Sequence, residues 1–182
     1  MNIGDEAFGG IVCYLFNEND PGYIQGEEHG FVVAIEDQGE SMWCDMDDCD
    51  MNASGITIGT GFQNTLNIMN NCDDTGTTAA KLCVNYNGGG YADWFLPSHH
   101  EALMFLPLYW SGFGNFTTGD TARYYTSSEI KTVFGDSYQD TYAFSQSLEY
   151  TPDTWNDGNP DWIWCGGSDK SFVYLVRAIR YF

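Results

Sequence analysis

Short apolar runs, separated by Gly, Asp, Asn and Pro, follow one another along the whole chain. The two runs nearest the start are "GGIVCYLF" (9–16) and "HGFVVAIED" (29–37). Each is a continuous apolar stretch bounded by turn residues, which predicts a buried strand. Residues 38–61 are rich in Asp, Gly, Ser and Asn and predict a long irregular loop.

Helical periodicity appears only in the middle of the chain. A short helix is predicted over 64–72, where apolar residues follow an Asn-Thr cap, and a second over 77–86, which "NGGG" ends. A third begins at "SHHEALMFL". There Ser98 and Glu101 have the spacing of a capping box, in which each side chain bonds the backbone N–H of the other residue.

After about residue 110 the chain is aromatic, β-branched and interrupted by Gly, Asp and Asn, which predicts strands and loops. The terminal run 171–182 predicts one strand with Arg177 and Arg180 on opposite faces. The order indicates a single α+β domain over 1–182. Short helices lie in its first half and antiparallel strands with long loops in its second.

Composition and charge exclude several classes of protein. Hydrophobic residues make up 43% of the chain and aromatic residues 16%, which excludes a disordered chain. A net charge of −20, from 6 basic and 26 acidic residues, predicts no binding to nucleic acid or to anionic membranes. The charge has two open interpretations, a solvated acidic surface and carboxylate clusters that bind cations.

No segment reaches the ~18 apolar residues of a membrane helix, so we expect no membrane insertion. "MNIGDEAFGG" has neither the basic nor the apolar region of a signal peptide. We therefore expect a chain that is made in the cytoplasm.

The six cysteines form no C-x-x-C pair, so their spacing predicts neither a zinc site nor a thioredoxin motif. Cys13 and Cys83 lie among apolar residues and are predicted to be buried thiols. A bond between Cys44 and Cys49 stays open, conditional on an oxidising setting. The acidic stretch "CDMDDCDMN" lacks the Gly and the Glu that an EF-hand loop requires.

Nothing in the sequence favours catalysis. Ser98, His99, His100 and Glu101 are adjacent, whereas the members of a catalytic triad come from separate elements. The capping box occupies Ser98, and both neighbouring histidines are expected to be exposed. His29 is expected to be a hydrogen-bonded structural residue, and no carboxylate spacing favours glycoside hydrolysis. We predict a protein that is not an enzyme.

Five ordered blocks between residues 9 and 182 resemble one known family. They are the Gly-Gly strand with "DPGY" and "HG", then "GTGFQNT" with "AAKLC", "GGYADWFLPSHHEAL", "YYTSSE" and "VRAIRYF". Together they resemble the DUF1566 family, also named for the C-terminal domain of a Legionella collagen-like adhesin. This chain departs from the family pattern at Glu101-Ala102-Leu103 and at Tyr125, and segments 38–55 and 135–168 have no counterpart.

The resemblance implies a C-type-lectin-like fold in which the N- and C-terminal strands pair and a long irregular region carries ligands. It gives the matched residues structural roles. Asp93 and Trp94 would fix the start of a helix, and the Trp94 indole N–H would need one partner. Arg177 and Arg180 would pair with buried carboxylates such as Glu129 or Glu101.

The stretch "TPDTWNDGNPDWIWC" (151–165) is the candidate ligand site, since Trp and Tyr rings stack on sugars while Asp and Asn accept hydroxyl hydrogen bonds. Its Trp-Asn-Asp triplet also occurs in calcium lectins, but the second triplet that completes a calcium site is missing upstream. We predict contact without a metal or other cofactor, with calcium as an alternative. The candidate residues are Tyr150, Trp155, Asn156, Asp157, Asn159, Asp161, Trp162 and Trp164.

The predicted function is a non-enzymatic adhesin or receptor-binding module for a host cell-surface glycan or protein. A lectin-like domain without a signal peptide suits a phage or viral particle, as a tail fibre, baseplate or head decoration. An extracellular or cell-surface position is the alternative setting. Two alternative functions stay open, a structural virion protein whose aromatic loops bind neighbouring subunits and a calcium-dependent lectin. We expect a homo-oligomer that contacts other virion subunits.

Overall fold

Two β-sheets and a group of short helices form the part of the chain that the computed structural model describes, residues 1–44, 50–72, 76–119, 122–130, 142–149 and 165–182. The strands are β1 (Glu6–Ala7), β2 (Gly10–Leu15), β3 (Gly30–Val33), β4 (Gly39–Ser41), β5 (Arg123–Glu129), β6 (Tyr142–Ser147), β7 (Cys165–Asp169), β8 (Tyr174–Val176) and β9 (Ile179–Tyr181). The helices are α1 (Gly61–Asn71), α2 (Ala79–Asn85), α3 (His99–Ala102) and α4 (Phe105–Trp110), with a 3₁₀ turn at Gly88–Gly90. The predicted α+β class is confirmed.

The first sheet has the strand order β1-β2-β3-β9, and every pairing in it is antiparallel. Both predicted N-terminal strands are present, although β3 ends at Val33 rather than at residue 37. The C-terminal strand joins this sheet by pairing with β3, with Val32 opposite Arg180. The two ends of the described chain are therefore held in one sheet.

Residues on the two faces of this sheet belong to two different hydrophobic cores. Ile11, Cys13 and Phe31 face one cluster, whereas Val12 and Val32 face the other. Side chains alternate between faces along a strand, so a sheet with a core on each side needs an unbroken apolar run. That requirement explains why these strands lack the alternating pattern of a surface sheet.

The second sheet has the order β4-β8-β5-β6-β7. β5 and β8 are parallel, and the other neighbours are antiparallel. The prediction of one strand over 171–182 is wrong, because β8 belongs to this sheet and β9 to the first. Arg177 and Ala178 make the crossing, and both are buried between the sheets.

The helices follow their sequence signals. α1 begins three residues before the predicted start, at Gly61, and the Thr78 hydroxyl caps α2 by accepting from the Lys81 N–H. The capping box between Ser98 and Glu101 is confirmed. The predicted third helix is divided into α3 and α4, which Leu103 and Met104 separate.

The arginines near the C-terminus pair with carboxylates, but not with those the resemblance implied. The Nε of Arg177 donates to Asp37 Oδ1 over 2.6 Å, and Nε and Nη2 of Arg180 donate to the two oxygens of Asp93 over 2.6 and 2.8 Å. Asp93 therefore anchors the C-terminal strand rather than the start of a helix. The Arg180 pairing lowers the pKa of Asp93.

Glu129 and Glu101 are occupied elsewhere, which is why neither takes an arginine. Glu129 pairs with Lys170 in the interior, with 2.6 Å between Oε1 and Nζ, and also accepts the Met51 N–H. Glu101 accepts the N–H groups of Gly59 and Ser98, each over 2.7 Å. Both buried carboxylates thus hold specific internal positions.

A disulfide joins Cys44 to Cys72, with the two Cα atoms 6.2 Å apart. It connects the segment after β4 to the end of α1, so the partner of Cys44 is Cys72 and not Cys49. Cys13 and Cys83 are buried free thiols as predicted, and burial raises the pKa of both.

Candidate functional site

The aromatic segment singled out in the sequence lies outside the described residues. That holds for Tyr150, Trp155, Asn156, Asp157, Asn159, Asp161, Trp162 and Trp164. The structure does place the strands from which the segment leaves and to which it returns. Arg123 pairs with Ser147 at the end of β6, and Gln146 pairs with Cys165 at the start of β7. The segment is therefore anchored at the end of the second sheet where β5 begins.

A polar groove opens at the same end of this sheet. It lies between β4, the start of β5, the start of β8 and the loop at 117–118, and has about 390 Å³ of space that is partly open to solvent. We call it the Arg123 groove. Its lining residues are Glu40, Thr117, Thr118, Ala122, Arg123, Val173, Tyr174 and Leu175.

One wall of the groove includes Thr117, which belongs to a partly exposed hydrogen-bond network around Asp37. Thr117 Oγ1 donates to Asp37 Oδ2 over 2.6 Å, and the Tyr124 hydroxyl lies 3.2 Å from the same oxygen. The Thr117 N–H donates to the Tyr124 hydroxyl over 2.8 Å. Burial and the neighbouring Asp37 charge raise the pKa of Tyr124 to about 12, so its hydroxyl stays protonated and can donate at neutral pH.

Val173, at the end of the connection 170–173 between β7 and β8, also lines the groove. The Tyr125 hydroxyl contacts the carbonyls of Asp169 and Phe172 over 2.8 and 2.9 Å, and the Asp169 carboxylate accepts from the Ser171 N–H and hydroxyl. This network presents Phe172 and Val173 to solvent, 53% and 57% exposed. Two exposed apolar side chains are thus adjacent on this connection, and one of them, Val173, lines the groove.

Ser98 and His99 both have partners inside the fold. The Ser98 hydroxyl donates to the Thr57 carbonyl over 2.9 Å. The expectation that His99 is exposed is wrong, because its ring is buried and stacks on Phe144 with 4.7 Å between ring centres. Helix α3 is only one turn long, and its first residue faces β6 rather than solvent.

His29 is the hydrogen-bonded structural histidine that the sequence predicted. Its Nδ1 lies 3.1 Å from the Phe182 carbonyl, and its Nε2 lies 2.9 Å from the Glu27 carboxylate. The hydrogen bond to Glu27 raises the pKa of His29. The predicted partner of the Trp94 indole is also present, since its N–H donates to the Gly88 carbonyl over 3.2 Å.

The acidic stretch after β4 is the candidate cation site of the sequence. Most of the acidic stretch "CDMDDCDMN", residues 45–49, lies outside the described part. In the part that is described, no three His, Cys, Asp or Glu side chains are grouped so that they could hold a metal ion. Nor does any helix within those residues have the length and apolar character to cross a membrane.

Sequence reasoning did not find the Arg123 groove, because its lining comes from segments far apart in the chain. Glu40, Arg123 and Val173 are separated by 83 and 50 positions, and only the sheet order brings β4, β5 and β8 together. One local signal was available. Arg123 is one of 6 basic residues in a chain of net charge −20, and it directly precedes the "YYTSSE" block.

Comparison with known proteins gives a likeness in structure alone. No family model matches the chain, and no curated protein matches it in sequence. Among solved structures it is similar to a fimbrial protein from Bacteroides ovatus ATCC 8483, with a TM-score of 0.52 and 14% sequence identity. The match covers 93% of this chain but only 43% of that one, so this chain shares its fold with part of a longer protein.

Proposed function

We propose that this chain is a non-enzymatic adhesin or receptor-binding module that recognises a glycan or protein on a cell surface. The observation that supports the proposal is the structural likeness to a fimbrial protein over 93% of the chain. A fimbrial relationship would place the chain on a surface structure that meets other cells or other subunits. The candidate contacts are the aromatic and Asp/Asn side chains of 150–164.

We also propose kinship with the DUF1566 family and a C-type-lectin-like fold. The resembling blocks supply the internal ties of the molecule. "DWFLPS" contributes Asp93 and the buried Trp94, and "VRAIRYF" contributes the two arginines that hold Asp37 and Asp93. This arrangement suits a binding module, because the resembling blocks would form a constant interior while segment 150–164 varies with the ligand.

The proposed setting is a phage or viral particle, with a cell-surface appendage as the alternative. The disulfide between Cys44 and Cys72 supports a working position outside the reducing cytosol, and a particle released by lysis reaches such a medium. Mass spectrometry of purified particles tests the setting. If the chain is absent from purified particles, the virion is excluded as its setting and the cell-surface appendage remains.

Binding of the purified chain to a glycan array and to intact cells tests the function itself. We expect binding that the triple variant Trp155→Ala, Trp162→Ala, Trp164→Ala loses by at least about tenfold, since exposed aromatic side chains dominate such contacts. Tyr23→Ala is the matched control, because it removes an aromatic ring that is 39% exposed in a different loop. Equal binding by the triple variant and the intact chain would remove 150–164 from the site.

A structural subunit is the second candidate function. Two observations favour it, namely the fimbrial likeness and the apolar pair Phe172 and Val173, which the Tyr125 network holds out into solvent. This candidate predicts that the chain binds no glycan on an array but associates with itself. The Phe172→Ser, Val173→Ser double variant would abolish that self-association. Light scattering coupled to size-exclusion chromatography measures the association.

A further inference from the structure

The turn after α2 carries the one Asn-Gly dipeptide of the chain, Asn87-Gly88. Asn87 directly precedes the 3₁₀ turn, and its φ of −130° and ψ of 29° lie outside the helical region. It is exposed, and its side chain makes no hydrogen bond to any residue that the structure describes. The side-chain amide is therefore available to react with the main chain of the turn.

Glycine at position 88 permits one such reaction. Its nitrogen can attack the side-chain carbonyl carbon of Asn87, because glycine has no Cβ to shield the nitrogen or to restrict the backbone. Gly88 is also the first residue of the 3₁₀ turn, where an N–H has no acceptor within the turn. The attack forms a C–N bond and closes a five-membered succinimide ring. The Gly88 proton passes to a solvent base, and the side-chain amide takes up a proton and leaves as ammonia.

Water then opens the ring at one of its two carbonyl carbons. Attack at the former side-chain carbon gives aspartate and restores the original main chain. Attack at the main-chain carbon of residue 87 breaks its bond to the Gly88 nitrogen and gives isoaspartate. In isoaspartate the main chain runs through the former side chain and is longer by one CH₂ group. The former main-chain carbonyl becomes a free carboxylate.

The turn that would be altered is packed directly against another part of the backbone. A Cβ atom added at Gly89 would overlap the Cα atom of Gly9, so the two glycines hold their main chains in contact. Within the turn, the Gly90 N–H donates to the Asn87 carbonyl over 3.1 Å. Isoaspartate removes that carbonyl from the main chain and lengthens the turn, so the turn loses the geometry that holds it against Gly9.

The same turn covers the place where the two ends of the described chain meet. Gly9 lies between β1 and β2, and the neighbouring Phe8 carbonyl accepts from Nη1 of Arg180 on β9 over 3.1 Å. The Arg180 guanidinium lies over the ring of Tyr91, 3.8 Å from the ring centre. Tyr91 directly follows the turn, so displacement of the turn would disturb both the N-terminal hairpin and the C-terminal strand.

We propose that Asn87 is a site of spontaneous deamidation, and that its isoaspartate product loosens the contact between the turn and the ends of the first sheet. Water is the only co-reactant. The reaction adds one negative charge to a chain whose net charge is already −20. Because ring closure requires loss of the Gly88 proton, the rate rises with pH. The modified fraction therefore increases with the age of the folded chain.

Mass spectrometry of the full chain, aged in water enriched in heavy oxygen, tests the site. The label enters only where a ring opens during ageing, so deamidation during digestion is not counted. The tryptic fragment 82–123 contains both Asn87 and Asn115, which are exposed and lie outside helices and strands. Phe116 follows Asn115, which makes Asn115 the matched control. We expect labelling at Asn87 to be faster by about tenfold or more, which corresponds to about 1.4 kcal/mol in activation free energy.

Anion exchange separates the aged species by their added charge, and electron-based fragmentation distinguishes isoaspartate from aspartate. We expect the isoaspartate species to melt below the intact chain by about 2 °C or more. Asn87→Gln should resist the reaction, because its ring would need six members. Freshly purified Asn87→Asp adds the charge without lengthening the main chain and should melt with the intact chain.

Unmodified Asn87 after ageing, or equal labelling of Asn87 and Asn115, would overturn the site. The loosening would be overturned if aspartate were the sole product or if the isoaspartate species melted with the intact chain. An equal fall in the melting temperature of fresh Asn87→Asp would attribute the effect to charge and also overturn it. These outcomes are independent of glycan and cell binding, so they leave the proposed function to its own tests.

Discussion

At the scale of single residues, the arginines and Lys170 differ in the groups that hold them. Arg177, Arg180 and Lys170 are held by named carboxylates, whereas Arg123 is held by a hydroxyl. Among the described residues, Glu101 is an acidic residue held without an opposite charge. It is a buried carboxylate that accepts three backbone N–H groups and pairs with no cation in the described part of the chain.

Burial raises the pKa of Glu101 above its ordinary value of 4.5, with the backbone hydrogen bonds opposing that shift. A carboxyl with a raised pKa binds more protons in the folded state than in the unfolded state. The stability that the Glu101 carboxyl contributes is therefore fully present below the pKa of the unfolded state. It is lost as pH rises through the pKa of the folded state. Glu101→Gln cannot titrate and lacks this dependence.

We predict that the free energy of unfolding of the intact chain, relative to Glu101→Gln, falls as pH rises from about 4.5. Urea unfolding at closely spaced pH values and constant ionic strength measures the difference. Glu36→Gln, which removes a carboxylate from an exposed position, is the control for the change of charge alone. A relative stability that increases with pH would mean that the three N–H donors outweigh burial and lower the pKa.

At the scale of elements, sequence patterns predicted local structure well and long-range pairing poorly. The capping box at Ser98, the start of α2 near residue 77 and the two N-terminal strands all follow from neighbouring residues. The division of 171–182 into β8 and β9 does not. It depends on β4 and β3, which lie more than a hundred residues earlier.

The candidate site shows the same limit. The aromatic segment 150–164 could be singled out because its residues are contiguous, whereas the Arg123 groove exists only after β4, β5 and β8 have paired. The partner carboxylates of the arginines were mistaken for the same reason. The strand pattern places Arg177 and Arg180 on opposite faces, but Asp37 becomes the neighbour of Arg177 only through the fold.

The disulfide is a further link between elements, and its removal should lower the free energy of unfolding by a predictable amount. Cys44 and Cys72 are 28 positions apart. Closing a loop of that length should stabilise the chain by about 3 to 4 kcal/mol, mainly by restricting the unfolded state. We expect Cys44→Ala, Cys72→Ala to lower the free energy of unfolding in urea by that amount. Reductant should have no further effect on the double variant, and an additional loss would show that a different bond carries the stability.

At the scale of the whole molecule, charge is strongly unbalanced. The chain carries a net charge of −20, and Lys170 and Arg177 are held in buried or largely buried ion pairs, where salt screens them little. Exposed carboxylates repel one another, and salt weakens that repulsion. Added salt should therefore stabilise the folded chain.

We predict that the melting temperature rises with NaCl between about 0.01 and 0.5 M, where the Debye length shrinks from about 30 Å to a few ångströms. A gain of about 1 kcal/mol corresponds to roughly 2 to 4 °C for a chain of this size. KCl should act equally. CaCl₂ at matched ionic strength should add nothing beyond screening, and an extra rise would instead support the calcium-lectin alternative. A melting temperature that falls with salt would mean that ion pairs outweigh repulsion.

The interior position of β8 has a consequence for synthesis. Strands β1, β2 and β3 are consecutive and pair in order, so this meander can form as it leaves the ribosome. The second sheet cannot, because β8 lies between β4 and β5 although it is made after both. Until residues 174–176 emerge, β4 and β5 have no strand between them, and their edges stay open to other nascent chains. The step that completes the Arg123 groove is therefore also the step that ends the period in which this chain is most prone to aggregate.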